Sequence, residues 1–186
     1  ADIVKTDGEY LYIVHNADKS TVRIVKILPA NAIKEVATID LTTDQTYAQD
    51  LYIDGDTLVV MAQRSYYHIM PMIREGDSAK MIAPGEYYPN VYTPRTDVKI
   101  YDVKDATKPV MKRTLSFDGT SVTTRRIGDK VYLVLNQPVW YGGPIPLPAL
   151  EKDVVPQYDD SATGKTKSIT GCANVMILPR VPNPQY

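Results

Sequence analysis

The chain has 186 residues, 44% of them apolar and 23% charged, enough for one sizeable core with room for an appended unit. Twenty-one Lys and Arg against 22 Asp and Glu leave a net charge of −1, which lacks the clustered basic footprint that nucleic acid requires. No apolar run approaches the ~18 residues that a membrane-spanning helix needs, so the sequence predicts no transmembrane segment.

Helical periodicity is nearly absent, and short β-branched and aromatic runs closed by Asp, Gly, Asn or Pro recur in its place. The first unit reads Ile3 to Lys5, a turn at Asp7-Gly8, Tyr10 to Val14, Val22 to Ile27 and Val36 to Leu41. Asp-Gly between two apolar runs is a hairpin signal, since a type I′ turn needs positive φ at both central residues. The pattern restarts with Asp50 to Ile53, a turn at Asp54-Gly55-Asp56 and Leu58 to Met61. It continues with Val98 to Val103, then a turn over Asp105 to Pro109, then Val110 to Phe117. A third unit runs from Val122 to Ile127, turns at Gly128-Asp129 and goes on through Val131 to Leu135.

Gly8 and Gly55 lie 47 residues apart. Gly55 and Gly128 lie 73 apart, or 42 once a 31-residue insertion from Ser65 to Arg95 is set aside. Four-stranded propeller blades repeat at about 40–50 residues. The expected fold is therefore all-β, with antiparallel blades of the β-propeller type, two complete and a third partial. The boundaries are 2–41 for the first blade, 48–117 for the second with insertion 65–95, and 122–186 for the third with insertion 137–171. An ordinary β-sandwich has equally short strands and is the competing architecture. Val175 to Leu178 reads as a further strand.

Three stretches carry a family resemblance. Ala1-Asp2-Ile3-Val4-Lys5-Thr6-Asp7-Gly8-Glu9-Tyr10-Leu11-Tyr12 resembles the entry to a prokaryotic family of secreted β-propellers distantly related to WD repeats. Thr124 to Val134 is similar to that family's Arg-x-Ile-Gly-Asp strand pair, and Tyr101 to Pro109 to its Tyr-Asp-Val-x-Asp-x-x-x-Pro strand and turn. Gly171 to Val175 resembles another part of it. The resemblance implies an extracytoplasmic or cell-surface protein and supplies no catalytic residue. Members continue beyond the equivalent of Tyr186, and the chain opens on Ala1 without a start methionine, so it reads as a processed or excised segment.

Several chemical motifs meet simpler explanations. Gly164-Lys165-Thr166 imitates the end of a phosphate loop, but Asp159 stands where that loop requires glycine. Asp159-Asp160-Ser161 lacks the alternating acidic ladder of a calcium loop and reads as an acidic turn. Asp54 and Asp56 read as turn residues. His15 ends an apolar strand, and neither it nor His68 has a partner at metal-ligand spacing. Cys172, the single cysteine, has no basic cluster near it in sequence and reads as a structural thiol or one arm of a bridge to another segment. No cofactor or metal is expected.

Tyrosine dominates the aromatics, 14 against one Phe and one Trp, and eight of the 14 prolines fall between Pro138 and Pro184. Tyr66, Tyr67, His68, Tyr87, Tyr88, Tyr92, Trp140 and Tyr141 all lie in the two insertions and form the candidate binding surface. Tyr and Trp give large contact area at low entropic cost. Folding back to roof the blades is the alternative role for these side chains. The expected function is a non-catalytic extracellular module for binding or assembly. Its expected partners are another protein, further blades, or a second copy through exposed blade faces. An enzyme with its active site in other blades, and a structural surface polymer, are the rival readings.

Overall fold

The computed structural model describes residues 3–42, 46–69, 90–137 and 155–174, with backbone alone for 65–69, 90–93 and Cys172. Twelve described strands form three antiparallel sheets, with only short 3-10 turns besides. The first sheet contains β1 (Val4–Thr6), β2 (Tyr10–Asn16), β3 (Ser20–Lys26) and β4 (Lys34–Asp40) in simple up-and-down order. The second contains β5 (Thr46–Asp54), β6 (Thr57–Ile69), β7 (Asn90–Asp102) and β8 (Val110–Asp118), extended at the β8 edge by β11 (Gln157–Asp160) and β12 (Lys165–Ser168). The third pairs β9 (Thr120–Ile127) with β10 (Lys130–Asn136).

The turn glycines fall where the sequence puts them. Gly8, Gly55 and Gly128 all have positive φ and connect the first two strands of their sheets. Counting from each glycine exposes the packing rule. Positions four and six beyond it are Tyr12 and Val14, Val59 and Met61, and Tyr132 and Val134. Positions three, five and seven are Leu11, Ile13 and His15, then Leu58, Val60 and Ala62, then Val131, Leu133 and Leu135. Side chains alternate across a strand, so the two sets lie on opposite faces of each sheet. Tyr12, Val14, Val22 and Ile24 of the first sheet share one buried cluster with Leu51, Leu58, Val60 and Tyr101 of the second. The even set of one sheet thus closes on the odd set of the next. Each fully buried side chain of this size contributes about 1.5–3 kcal/mol.

Two sequence expectations are revised. The ladder between β6 and β7 runs on beyond Ser65 to the pair Ile69↔Asn90, so pairing continues inside the insertion set at 65–95. Tyr66, Tyr67, Val91 and Tyr92 are strong strand formers, which the repeat period had obscured. The insertion set at 137–171, in turn, does not wholly belong to the third unit. Its residues 157–168 form a hairpin on β8, giving the second sheet six strands rather than four.

That hairpin is fastened by charge and ring contacts. Arg113 grips Asp160 with two bonds of 2.9 and 2.8 Å, and Arg95 pairs with both Asp159 and Asp118. Tyr158 stacks on Phe117 at 5.5 Å. Asp159 and Asp160, the suspected calcium turn, spend their carboxylates on these arginines. Gly164, with φ of 62°, closes the hairpin turn. Arg95 of the first insertion and Asp159 of the second therefore meet at one end of the second sheet, where Arg64, Arg95 and Asp118 are successive cross-strand neighbours.

Two outcomes follow for stability. Gly8 and Gly119 have nearly equal φ, 101° and 106°, but a Cβ on Gly119 would lie 2.8 Å from the Asn136 carbonyl oxygen, whereas one on Gly8 meets nothing. In urea melts Gly119→Ala is expected to cost more than Gly8→Ala, with backbone strain alone amounting to about 1–3 kcal/mol in each. Equal losses would remove the argument for close approach.

The Asp159 carboxyl is held below its ordinary value by the Thr166 hydroxyl and Arg95, and that of Asp160 by Arg113, in both cases against a smaller opposing effect of burial. Carboxyls depressed on folding stabilise above their unfolded value, near 3.8, and that stability is lost as pH falls through the folded values. Amide exchange at about pH 3, compared with about pH 6, should therefore show β11 and β12 opening more readily relative to β2 and β3. An unchanged ratio would count against the clamp.

Candidate functional site

A groove of about 550 Å³ opens where the first strands of the three sheets converge. Lys5 of β1, Asp50, Tyr52 and Ile53 of β5, and Thr124, Arg125, Arg126 and Gly128 of β9 and its turn line it. β1, β5 and β9 are the edge strands at which each sheet begins, and among the described residues none has a second ladder partner on that side. Hydrogen bonding there falls to side chains.

Lys5, Tyr52 and Arg125 each stand three residues before a turn glycine and pair across their hairpins with Tyr12, Val59 and Tyr132. They occupy one column of the repeat, on the face that looks toward the following sheet. The Lys5 ammonium sits 5.7 Å over the Tyr52 ring, a cation–π contact between first and second sheets. The Tyr52 hydroxyl reaches the Thr124 hydroxyl at 2.6 Å and the Asp50 carboxylate at 2.8 Å, joining the second sheet to the third. Arg125 is exposed at the third position of the column.

Asp50 is only 6% exposed, and its charge is answered by donors. The Leu51 amide gives it a bond of 2.9 Å, and Thr124 and Tyr52 give hydroxyl bonds of 2.6 and 2.8 Å. A buried carboxylate demands such partners, because leaving it unpaired costs far more than the bonds contribute. Arg126 makes the second bridge: it donates to the Gly128 and Ile53 carbonyls and pairs with Asp54 at 2.7 Å. Asp54, read from sequence as a turn residue, thus also serves the seam.

Beyond the groove, Arg64 bonds to Asp97 at 3.0 Å and to Ser116 at 3.1 Å, while Ser116 donates to Asp97 at 2.6 Å. Asp97 is 1% exposed, so this network is internal to the second sheet and consists of structural bonds.

The aromatic surface expected from sequence lies mainly outside the described residues. Tyr66, Tyr67 and His68 pair through the backbone with Thr93, Tyr92 and Val91 on the long β6–β7 hairpin. Their side chains, and all of Tyr87, Tyr88, Trp140 and Tyr141, lie outside the described residues, as does the Val175 to Leu178 run. His15 is the penultimate residue of β2 and is half-buried, and Cys172 begins a 3-10 turn. Among the described residues no three His, Cys, Asp or Glu side chains form a metal-sized cluster. Sequence reading passed over Lys5, Tyr52, Thr124 and Arg126. The signal was present in the column three residues before each glycine, but its meaning depends on hairpin register.

The profile of the family described as Beta propeller domain matches residues 1–186. The chain belongs to that family. Neither the curated proteins nor the solved structures contain a match to this propeller domain.

Thr124→Val in this propeller removes a donor from a buried carboxylate and cuts one of the two side-chain bridges described between the second and third sheets. A loss of about 1–3 kcal/mol in chemical denaturation is expected, with non-additivity against Tyr52→Phe in a double-mutant cycle. Strict additivity would show that the two hydroxyls do not act together.

Proposed function

We propose that this propeller domain is a non-catalytic binding module working outside the cytoplasm, and that its axial groove receives a carboxylate-bearing ligand of an acidic peptide. The observation that carries this reading is the construction of the groove, in which successive blades contribute Lys5, Tyr52, Thr124 and Arg126 to one wall. Lys5 and Arg126 supply positive charge. The nearby Asp50 carboxylate is turned into hydroxyl and amide donors, so it opposes an incoming anion less than an exposed carboxylate would. The Tyr52 ring adds a rigid amphipathic surface of the kind favoured at recognition sites. The likeness of the strand pairs around Gly8 and Gly128 to those of secreted prokaryotic propellers supports the extracytoplasmic location.

Calorimetric titration with a hexaglutamate peptide at low salt tests the reading. Binding by the unaltered chain should weaken about tenfold or more in Lys5→Ala, equivalent to at least about 1.4 kcal/mol. It should also fall with added salt, because an exposed charge contact is screened. Absence of binding, or equal binding by the variant, would sink the assignment of the groove to an anionic ligand.

A further inference from the structure

We propose, on the reading of the groove as a site for acidic ligands, that Asp50 is its positioning residue. The Asp50 carboxylate holds Tyr52, and through Tyr52 it holds Lys5, in the arrangement that receives an anion. Strand register is the first ground. Ala48 lies opposite Ala62 and Asp50 opposite Met61, so Gln49 is an extra residue, a bulge in β5. Ala62 and Met61 are neighbours on β6 and point to opposite faces, and their partners follow them. Ala48 therefore joins the buried cluster shared with the first sheet, while Asp50 is turned toward the third sheet, where it meets Thr124. In an unbroken strand residues 48 and 50 would share one face, and the carboxylate would enter the apolar seam beside Ala48. The bulge re-aims one side chain, and bulges of this kind recur beside functional sites.

The contacts are the second ground. Asp50 Oδ1 accepts the Leu51 amide, and Oδ2 accepts the Tyr52 and Thr124 hydroxyls at 2.8 and 2.6 Å. One carboxylate oxygen thus fixes a hydroxyl from each of two sheets. A tyrosine ring anchored at its hydroxyl cannot swing without breaking that bond, so the ring face offered to Lys5 is fixed. The Lys5 ammonium lies 5.7 Å from the ring centroid, within the distance of about 6 Å over which an aromatic face attracts a cation. An amide at position 50 must turn its NH2 either on the two hydroxyls or on the Leu51 N–H. The first removes the shared acceptor, and the second sets donor against donor. A glutamate keeps the charge but moves it outward by one methylene. Charge counting alone says that removing an acid from an anion-binding groove tightens binding. The positioning role says the reverse.

Two readouts on the 186-residue chain test this. In NMR spectra the Lys5 ε-methylene signal, identified by its loss in Lys5→Ala, is expected upfield of the other lysines because of the Tyr52 ring current. It should move toward the common lysine position in Asp50→Asn and in Tyr52→Phe, with circular dichroism checking that both remain β-structured. In titrations with hexaglutamate at low salt, Asp50→Asn and Asp50→Glu should each weaken binding by about fivefold or more. In the Lys5→Ala background Asp50→Asn should add no further loss, because Asp50 acts through Lys5. General loosening of the fold would add its loss in either background. Should Asp50→Asn lose its β-structure, Tyr52→Phe carries both readouts, since it removes one hydroxyl and leaves the carboxylate. An unmoved Lys5 signal, unchanged or tighter binding by Asp50→Asn, or equal losses in the two backgrounds would overturn the positioning role. Failure of the unaltered chain to bind hexaglutamate overturns the reading of the groove instead, and the Lys5 signal then decides the role of Asp50.

Discussion

A blade of this protein is a sheet with two apolar faces, and neither face is satisfied until another sheet lies on it. That requirement governs the rest. In the first sheet Tyr12, Val14, Val22 and Ile24 are buried only because Leu51, Leu58 and Val60 stand opposite. In the second sheet the opposite face needs the third, which supplies Thr124 and the half-buried Leu133. Stacked architectures of this type behave as nearest-neighbour arrays, in which each unit draws stability from those beside it. Among the described residues the third sheet has two strands, fewer than either of its neighbours.

The apolar faces set which blade touches which, but apolar contact is not directional. Angular placement at the inner edge comes from polar contacts. Lys5 over Tyr52, Tyr52 and Thr124 on Asp50, and Arg126 on Asp54 and the Ile53 carbonyl are spaced along three edge strands. These bonds sit where a strand ladder is missing, so they satisfy groups that would otherwise face the groove unpaired. Fixing the seam and lining the groove are consequently one task performed by one set of side chains. A ligand in the groove would contact more than one blade at once, and its binding would couple to how tightly the blades associate.

The sequence made the strands and their grouping legible because β-branched alternation and glycine turns are local signals. Gly8, Gly55 and Gly128 need positive φ whatever the rest of the chain does. The groove was less legible because Lys5, Tyr52 and Arg125 share little chemistry. What they share is a register position, which emerges only once each hairpin is paired. The hairpin at 157–168 was harder still. Tyr158-Asp159-Asp160 reads locally as an acidic turn, and its strand character comes from partners more than 40 residues away, Leu115 to Phe117. Arg95 and Arg113 gave no local hint of their roles, since a lone arginine on a strand is ordinarily a solvated residue.

The added hairpin also changes what the outer rim presents. Without it β8 would be an edge strand, and Leu115 and Phe117 would lie on the last row of the sheet, a template for unwanted pairing. Residues 157–160 occupy that edge, and Asp160 accepts the Arg113 guanidinium that would otherwise extend into water. Among the described residues the new edge is β12, Lys165-Thr166-Lys167-Ser168, exposed along its whole length. Two lysines in four residues make a poor template for a further strand, because pairing would bury or crowd their charges. Among the described residues, that edge discourages β-addition, while Tyr132 and Val134 on the third sheet are exposed. The contrast is chemical: one exposed surface carries the charges that discourage association, and the other carries the residues that a neighbouring blade buries.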